Sequence, residues 1–319
     1  MKRKIKSIYN ILIETYNEFS DDHATKLSAS LAYFTLFSIG PLLLVLITIL
    51  GFFYKRKFAA HQVFDKVGAF VGPKTAMQLE GMLDKMSKQN HGTLFGVIGA
   101  LVFIFGATGI FTEIQSSINY LWSVKAKPKR SWLKYITDRL LSFVLIVGMG
   151  LLLIVSLLLN VIMDMAESHL KSIHQLNGLL SDANILLIKG ANVGILFIVV
   201  TLLFAVIFKV LPDARIHWKD AFIGASFTGV LFLIGKFLIT WYLSSSKSIS
   251  AYGAAASLII VLSWIYYSAL ILYFGAEFTD VYARWHGKGI TVKSTAVFIV
   301  KNEARELPSL KVHTDEEIG

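Results

Sequence analysis

The side chains best able to do chemistry are scattered along this chain. Its histidines are His23, His61, His91, His169, His174, His217, His286 and His313, and no H-x-H-x-D-H or H-E-x-x-H spacing joins any of them. Metal-dependent phosphodiester cleavage uses clustered Asp, Glu and His around ions about 4 Å apart. The densest such run is Asp21-Asp22-His23, which reads as a helix boundary. There is no cysteine, so disulfides, thiolate metal sites and cysteine nucleophiles are excluded. There is also no G-x-S-x-G and no glycine-rich phosphate loop. The expectation is a chain with no catalytic residue, no metal and no cofactor, and therefore not an enzyme.

What remains is polarity embedded in apolar sequence. Glu113 is followed by Gln115, Ser116, Ser117 and Asn119, and helical spacing puts Glu113, Ser116, Ser117 and Tyr120 on one face. Arg139 opens a later apolar run, Lys209 closes another and Glu277 closes the last. One reading gathers Glu113, Asn119, Arg139, Lys209 and Glu277 into a polar vestibule that takes an ionic headgroup or passes a proton. The other treats them as interfacial charges that pair locally, as helix ends commonly do. Lys236 sits deeper in its run, and an unpaired lysine there costs a few kcal/mol. Two arrangements fit: its stem snorkels outward, or it pairs with Asp164, with Asn160 and Asn192 at similar depth.

The elements that must position these groups are six apolar runs near residues 29–53, 94–120, 140–163, 188–208, 221–243 and 254–276. A helix rises about 1.5 Å per residue, so about 20 apolar residues cross a bilayer core of about 30 Å. The composition agrees, being 55% hydrophobic and 16% charged, with a mean hydropathy of +0.62. The predicted fold is all-α: a polytopic transmembrane bundle of six spans. An N-terminal arm (1–28) precedes the membrane domain (29–284), and a polar tail (285–319) follows it. The net charge of +10 is expected to serve loops facing anionic headgroups, and no nucleic-acid partner is implied.

Charge placement predicts orientation. Lys2, Arg3, Lys4, Lys6 and Lys26 precede the first run, and Lys125, Lys127, Lys129, Arg130, Lys134 and Arg139 crowd the second connection. Lys209, Arg215 and Lys219 lie in the fourth, and Arg284, Lys288 and Lys293 begin the tail. The positive-inside rule then puts both termini in the cytoplasm. Residues 54–92 dissent, because they carry Lys55, Arg56, Lys57, Lys66, Lys74, Lys85 and Lys88 yet fall outside.

Two segments outside the runs are amphipathic. In the arm, Ile5, Ile8, Tyr9, Leu12, Ile13, Tyr16 and Phe19 recur at helical steps. Two placements fit: within the headgroup layer, or packed on the span ends. The arm lacks the apolar core and cleavage site of a signal peptide. In the first outer loop the pattern predicts two short helices divided at Gly72-Pro73, with Pro73 suited to a first turn. Pro41 is expected to kink the first span. Gly106, Gly109, Gly224 and Gly229 are expected at close helix contacts. Trp122, Trp132, Trp218 and Trp241 read as interface anchors.

The ordered segments LSASLAYFTLFSIGPLLLVLITILG (Leu27–Gly51), INYLWSV (Ile118–Val124), FKVLPDARIHWKDAFIGASF (Phe208–Phe227) and SAYGAAASLIIVLSWIYYSALILYFGAEFTDVYAR (Ser250–Arg284), together with Arg139, resemble the YihY/BrkB-like membrane proteins. The resemblance implies a six-span protein of the bacterial cytoplasmic (inner) membrane. Members carry labels as varied as virulence factor, transporter and transfer-RNA-processing ribonuclease (ribonuclease BN). Two functions stay open. One is a transporter or flippase-like protein for an envelope-related amphipathic or lipid-linked molecule; the other is a non-transporting scaffold that binds a partner. Membrane lipids are the expected surroundings, and homo-oligomers are compatible with either.

Overall fold

The computed structural model describes residues 2–51, 73–88, 109–127, 182–245, 256–286 and 289–301, with residue 106 and shorter pieces at 60–61, 63–65, 67–68, 132–133, 136–138, 140–142 and 144–148. The chain opens with α1 (Lys2–Asp21) and α2 (Ala24–Gly51). The break between them falls at Asp22-His23, where His23 takes a left-handed φ of 52°. Few non-glycine residues adopt that conformation, and it cannot propagate a right-handed helix. α2 runs unbroken through Gly40-Pro41. α3 (Pro73–Lys88) begins at its proline, where the missing N–H leaves no bond unmade.

Three long helices follow: α4 (Asp182–Val210), α5 (Trp218–Ser245) and α6 (Ala256–Trp285). Among the described residues, these three are long and apolar enough to cross a membrane, over Val193–Val210, Trp218–Ile239 and Leu258–Trp285. Only 33%, 33% and 39% of those windows is buried within the chain, so most of each apolar surface faces outward. Ile198, Ile234 and Phe237 are 58%, 53% and 73% exposed. An apolar exterior of that extent is stable in hydrocarbon and costly in water. The runs near 94–120 and 140–163 are described only in part, and those parts (109–121 and 140–148) are helical where seen.

α6 is the hub. It packs against α5, α2, α1 and α3, while α4 packs against α5. Tyr273, Phe208, Ile118 and Leu211 are fully buried in the core between these helices. The α5–α6 contact rests on two reciprocal glycines. A Cβ on Gly275 would lie 1.9 Å from Thr228 Oγ1, and one on Gly224 would lie 1.9 Å from Thr279 Oγ1. Each threonine turns its hydroxyl back onto its own helix, Thr228 to Gly224 O at 2.7 Å and Thr279 to Gly275 O at 2.6 Å. Gly229 is similarly filled by Thr201 of α4.

The structure adds strands to the expected all-helical fold. β1 (Val124–Ala126) pairs antiparallel with β4 (Ala296–Phe298), and β2 (Ala214–Arg215) pairs with β3 (Thr291–Val292). The segment after α6 thus folds back and ties two interhelical connections together. The sequence hides this, because ribbons of two and three residues are too short to show a long alternating pattern. The pairings hold the second connection, the fourth connection and the start of the tail at one end of the bundle. The arm joins them there, since Lys301 bonds both Asp22 and the Leu121 carbonyl. These are the basic segments that charge placement grouped together.

Candidate functional site at the polar end of the bundle

Two cavities at the polar end are lined by described residues. The first, of about 420 Å³, is lined by Gln115, Ser116, Asn119, Lys125, Asp138 and Asp213 among others. Asp213 lies in the turn after α4, where Pro212 helps to stop the helix. Asn119 holds that turn twice: its Nδ2 donates to Asp213 Oδ2 at 2.9 Å, and its Oδ1 accepts the Asp213 backbone N–H at 2.8 Å. Gln115 Nε2 reaches Asp213 at 3.4 Å and Asp138 at 3.5 Å. Lys293 braces the same turn from the tail, donating to Pro212 O at 2.6 Å and Val210 O at 3.4 Å. A cation on the last carbonyls of a helix also suits its dipole.

The second cavity, of about 410 Å³, lies between the arm and α6. Glu18, Asp22, Asp280, Arg284 and Lys301 line it. Arg284 is its central cation, bonded to Glu14 at 3.3 Å, to Asp280 at 3.2 Å and to Glu18. Trp285 Nε1 donates to Glu14 Oε2 at 2.6 Å. Below these charges the arm docks by shape: Ile11 is 3% exposed and packs with Phe278 and Val281.

The residues of the expected vestibule occupy separate environments. Glu113 is half-buried and accepts a 2.6 Å bond from Ser30 Oγ of α2. Asn119 serves Asp213. Lys209 donates to the Ile216 carbonyl and lies 5.4 Å from the Trp218 ring centroid, a cation–π arrangement. Glu277 is fully buried beside the arm, and among the described residues neither of its oxygens has a hydrogen-bond partner. Among the described residues, no hydrogen bond or ion pair joins any two of Glu113, Asn119, Lys209 and Glu277. Arg139 and Asp164 lie outside the described residues. Lys236 is half-buried on α5.

One expectation is corrected. Trp122 is not an interface anchor, because it is 3% exposed and its indole N–H donates to the Ala276 carbonyl at 3.0 Å. Sequence reasoning also missed Glu14, Glu18, Asp213 and Asp280. The first two had a visible signal: Glu14, Glu18 and Asp22 recur every fourth residue on one face of the arm. Asp280 and Arg284 repeat that spacing on α6. Asp213 carried no such pattern.

A family profile described as Virulence factor BrkB matches residues 15–296. The chain belongs to that family. It is 30% identical to a UPF0761 membrane protein of Tolumonas auensis, over 83% of this chain and 82% of that one. Another UPF0761 membrane protein, from Psychromonas ingrahamii, is also 30% identical, over 86% and 88%. A Bacillus subtilis relative named as a ribonuclease-like protein, YfkH, is 25% identical over 84% of this chain and 93% of its own. No solved structure matches the chain.

Proposed function

We propose that this BrkB-family membrane protein is a transporter of flippase type. It would move the polar headgroup of an envelope-related amphipathic molecule through the cavity around Asp213. The observation that carries the reading is that cavity itself. Its wall sets Asp138 and Asp213 beside Lys125, Gln115 and Asn119 at the end of an otherwise apolar bundle. Buried polar groups in a membrane protein are costly and tend to mark a substrate or ion path. The mixed lining suits a headgroup that both donates hydrogen bonds and carries charge.

In this reading the chain spans the bacterial inner membrane six times, with both termini and the polar end in the cytoplasm. Support comes from the basic segments, which the β1–β4 and β2–β3 pairings hold at one end. Residues 54–92 then face outward, and a cysteine at position 74 is expected to react with a membrane-impermeant label from outside. Reaction only from the cytoplasm would overturn the arrangement.

The functional test compares the lipid composition and solute uptake of deleted and restored cells. Arg139→Ala is expected to impair restoration while the protein stays in the membrane, and Arg139→Lys to rescue it in part, since the planar fork is lost. Full restoration by Arg139→Ala, Glu113→Gln and Glu277→Gln at normal expression would reduce these residues to ordinary interfacial charge. The chain is read as non-enzymatic. Purified protein with added Mg²⁺ is expected to leave RNA intact, and cleavage lost in Glu277→Gln would contradict this.

One observation favours a scaffold instead. The outer face of the arm exposes Tyr9 and Tyr16, at 63% and 65%, a surface that suits a partner as well as a lipid layer. Normal lipid composition in deleted cells, with a partner lost from the membrane, would favour that reading.

A further inference from the structure

We propose that Glu18, Glu277 and Asp280 bind one divalent cation of the hard, oxygen-preferring class, which ties the N-terminal arm to α6. One carboxylate oxygen from each of the three lies within 4.8 Å of the others. Oxygens so placed need only a small closure to meet an ion at about 2.3–2.6 Å, the calcium range, and a somewhat larger one for magnesium.

Proximity of acids alone proves little, because exposed carboxylates often cluster. Here the decisive group is Glu277. It is 0% exposed, and among the described residues neither oxygen is met by a donor. Buried polar groups are almost always satisfied, and a buried carboxylate without a partner is costly. The charged neighbours around it are Glu18, Asp22, Asp280 and Lys301. Lys301 is engaged by Asp22 and the Leu121 carbonyl. Arg284 is engaged by Glu14, Glu18 and Asp280. Among the described residues neither cation makes a hydrogen bond or ion pair with Glu277. Five carboxyl groups (Glu14, Glu18, Asp22, Glu277 and Asp280) thus meet two cationic side chains, and the carboxyls in excess centre on the triad.

The chemistry selects the ligand class. An all-carboxylate donor set favours calcium, magnesium or manganese over thiolate- or imidazole-loving metals. The adjoining cavity of about 410 Å³, lined by Glu18 and Asp280, gives an entry path and room for the waters that complete the shell. The site does not depend on the transport reading.

The test uses the full-length chain, purified in detergent and stripped of metal. Manganese binding is followed by electron paramagnetic resonance, with magnesium and calcium as competitors. Tight binding of one Mn²⁺ per chain is expected, weakened at least about tenfold in Glu277→Gln and in Glu18→Gln. Glu80→Gln, which removes an acid elsewhere, should leave the affinity unchanged. Should Glu277→Gln fail to fold, Glu18→Gln decides, because that side chain lies at the surface of the arm. Added calcium should also raise the unfolding temperature of the wild-type chain and not that of a triad variant. Absence of bound Mn²⁺, or binding equal in all variants, would overturn the site.

Discussion

α6 meets α5 and the N-terminal arm by different physics. Against α5, close approach depends on missing atoms: Gly224 and Gly275 leave room into which Thr279 and Thr228 project. Against the arm, a short apolar patch around Ile11 is extended by a layer of charge centred on Arg284. A contact made by excluded volume admits one spacing, since packed interiors do not deform continuously. A contact made by half-exposed charges can be rebuilt with water, salt or another cation. The packed helices α4–α5–α6 are thus the rigid frame, and the arm is its adjustable part.

The largest expected effect comes from breaking the rigid side. Gly275→Ala places a methyl 1.9 Å from Thr228 Oγ1, and overpacking of this kind costs about 3 kcal/mol. A marked fall in the detergent unfolding temperature is expected, with Thr228→Gly in the same chain restoring most of it. A smaller loss, about 2 kcal/mol, is expected from Ile11→Ala, which empties the apolar part of the arm contact. Hydrogen exchange should then rise along α1 and stay unchanged in α5, which separates arm release from global unfolding.

Smallest of all is the charged layer. Arg284 is 41% exposed, so its ion pairs are screened and Arg284→Gln should cost only about 1 kcal/mol. That loss should shrink as salt rises, whereas the Gly275→Ala loss should not. Salt-insensitive destabilisation by Arg284→Gln would mean that packing and not charge holds the arm.

The same division explains how far the sequence could be read. Long apolar runs announced α4, α5 and α6, and Pro73 announced the start of α3, because length and backbone chemistry are local properties. Gly224 and Gly229 were legible as packing positions for the same reason. Side-chain partnerships were not local. Trp122 resembles any tryptophan near a span end until Ala276, 154 positions later, supplies its acceptor. Glu18 and Glu277 approach only once the arm lies along α6. The ribbons 124–126/296–298 and 214–215/291–292 are too short to leave a periodic trace. Glu113, by contrast, was singled out from its own helix, and its partner Ser30 is 83 positions away.

The most direct measurement of the central claim is lipid translocation by the purified chain in sealed vesicles. Fluorescent short-chain phosphatidylethanolamine and phosphatidylglycerol serve as probes, with dithionite quenching of the outer leaflet as the readout. Vesicles containing the wild-type protein are expected to expose inner-leaflet probe faster than protein-free vesicles. Asp213→Asn and Asn119→Leu should slow that exposure by about tenfold, as expected when about 1.4 kcal/mol of headgroup stabilisation is lost. Rates equal to those of protein-free vesicles for both probes, from protein shown to be folded and inserted, would contradict it.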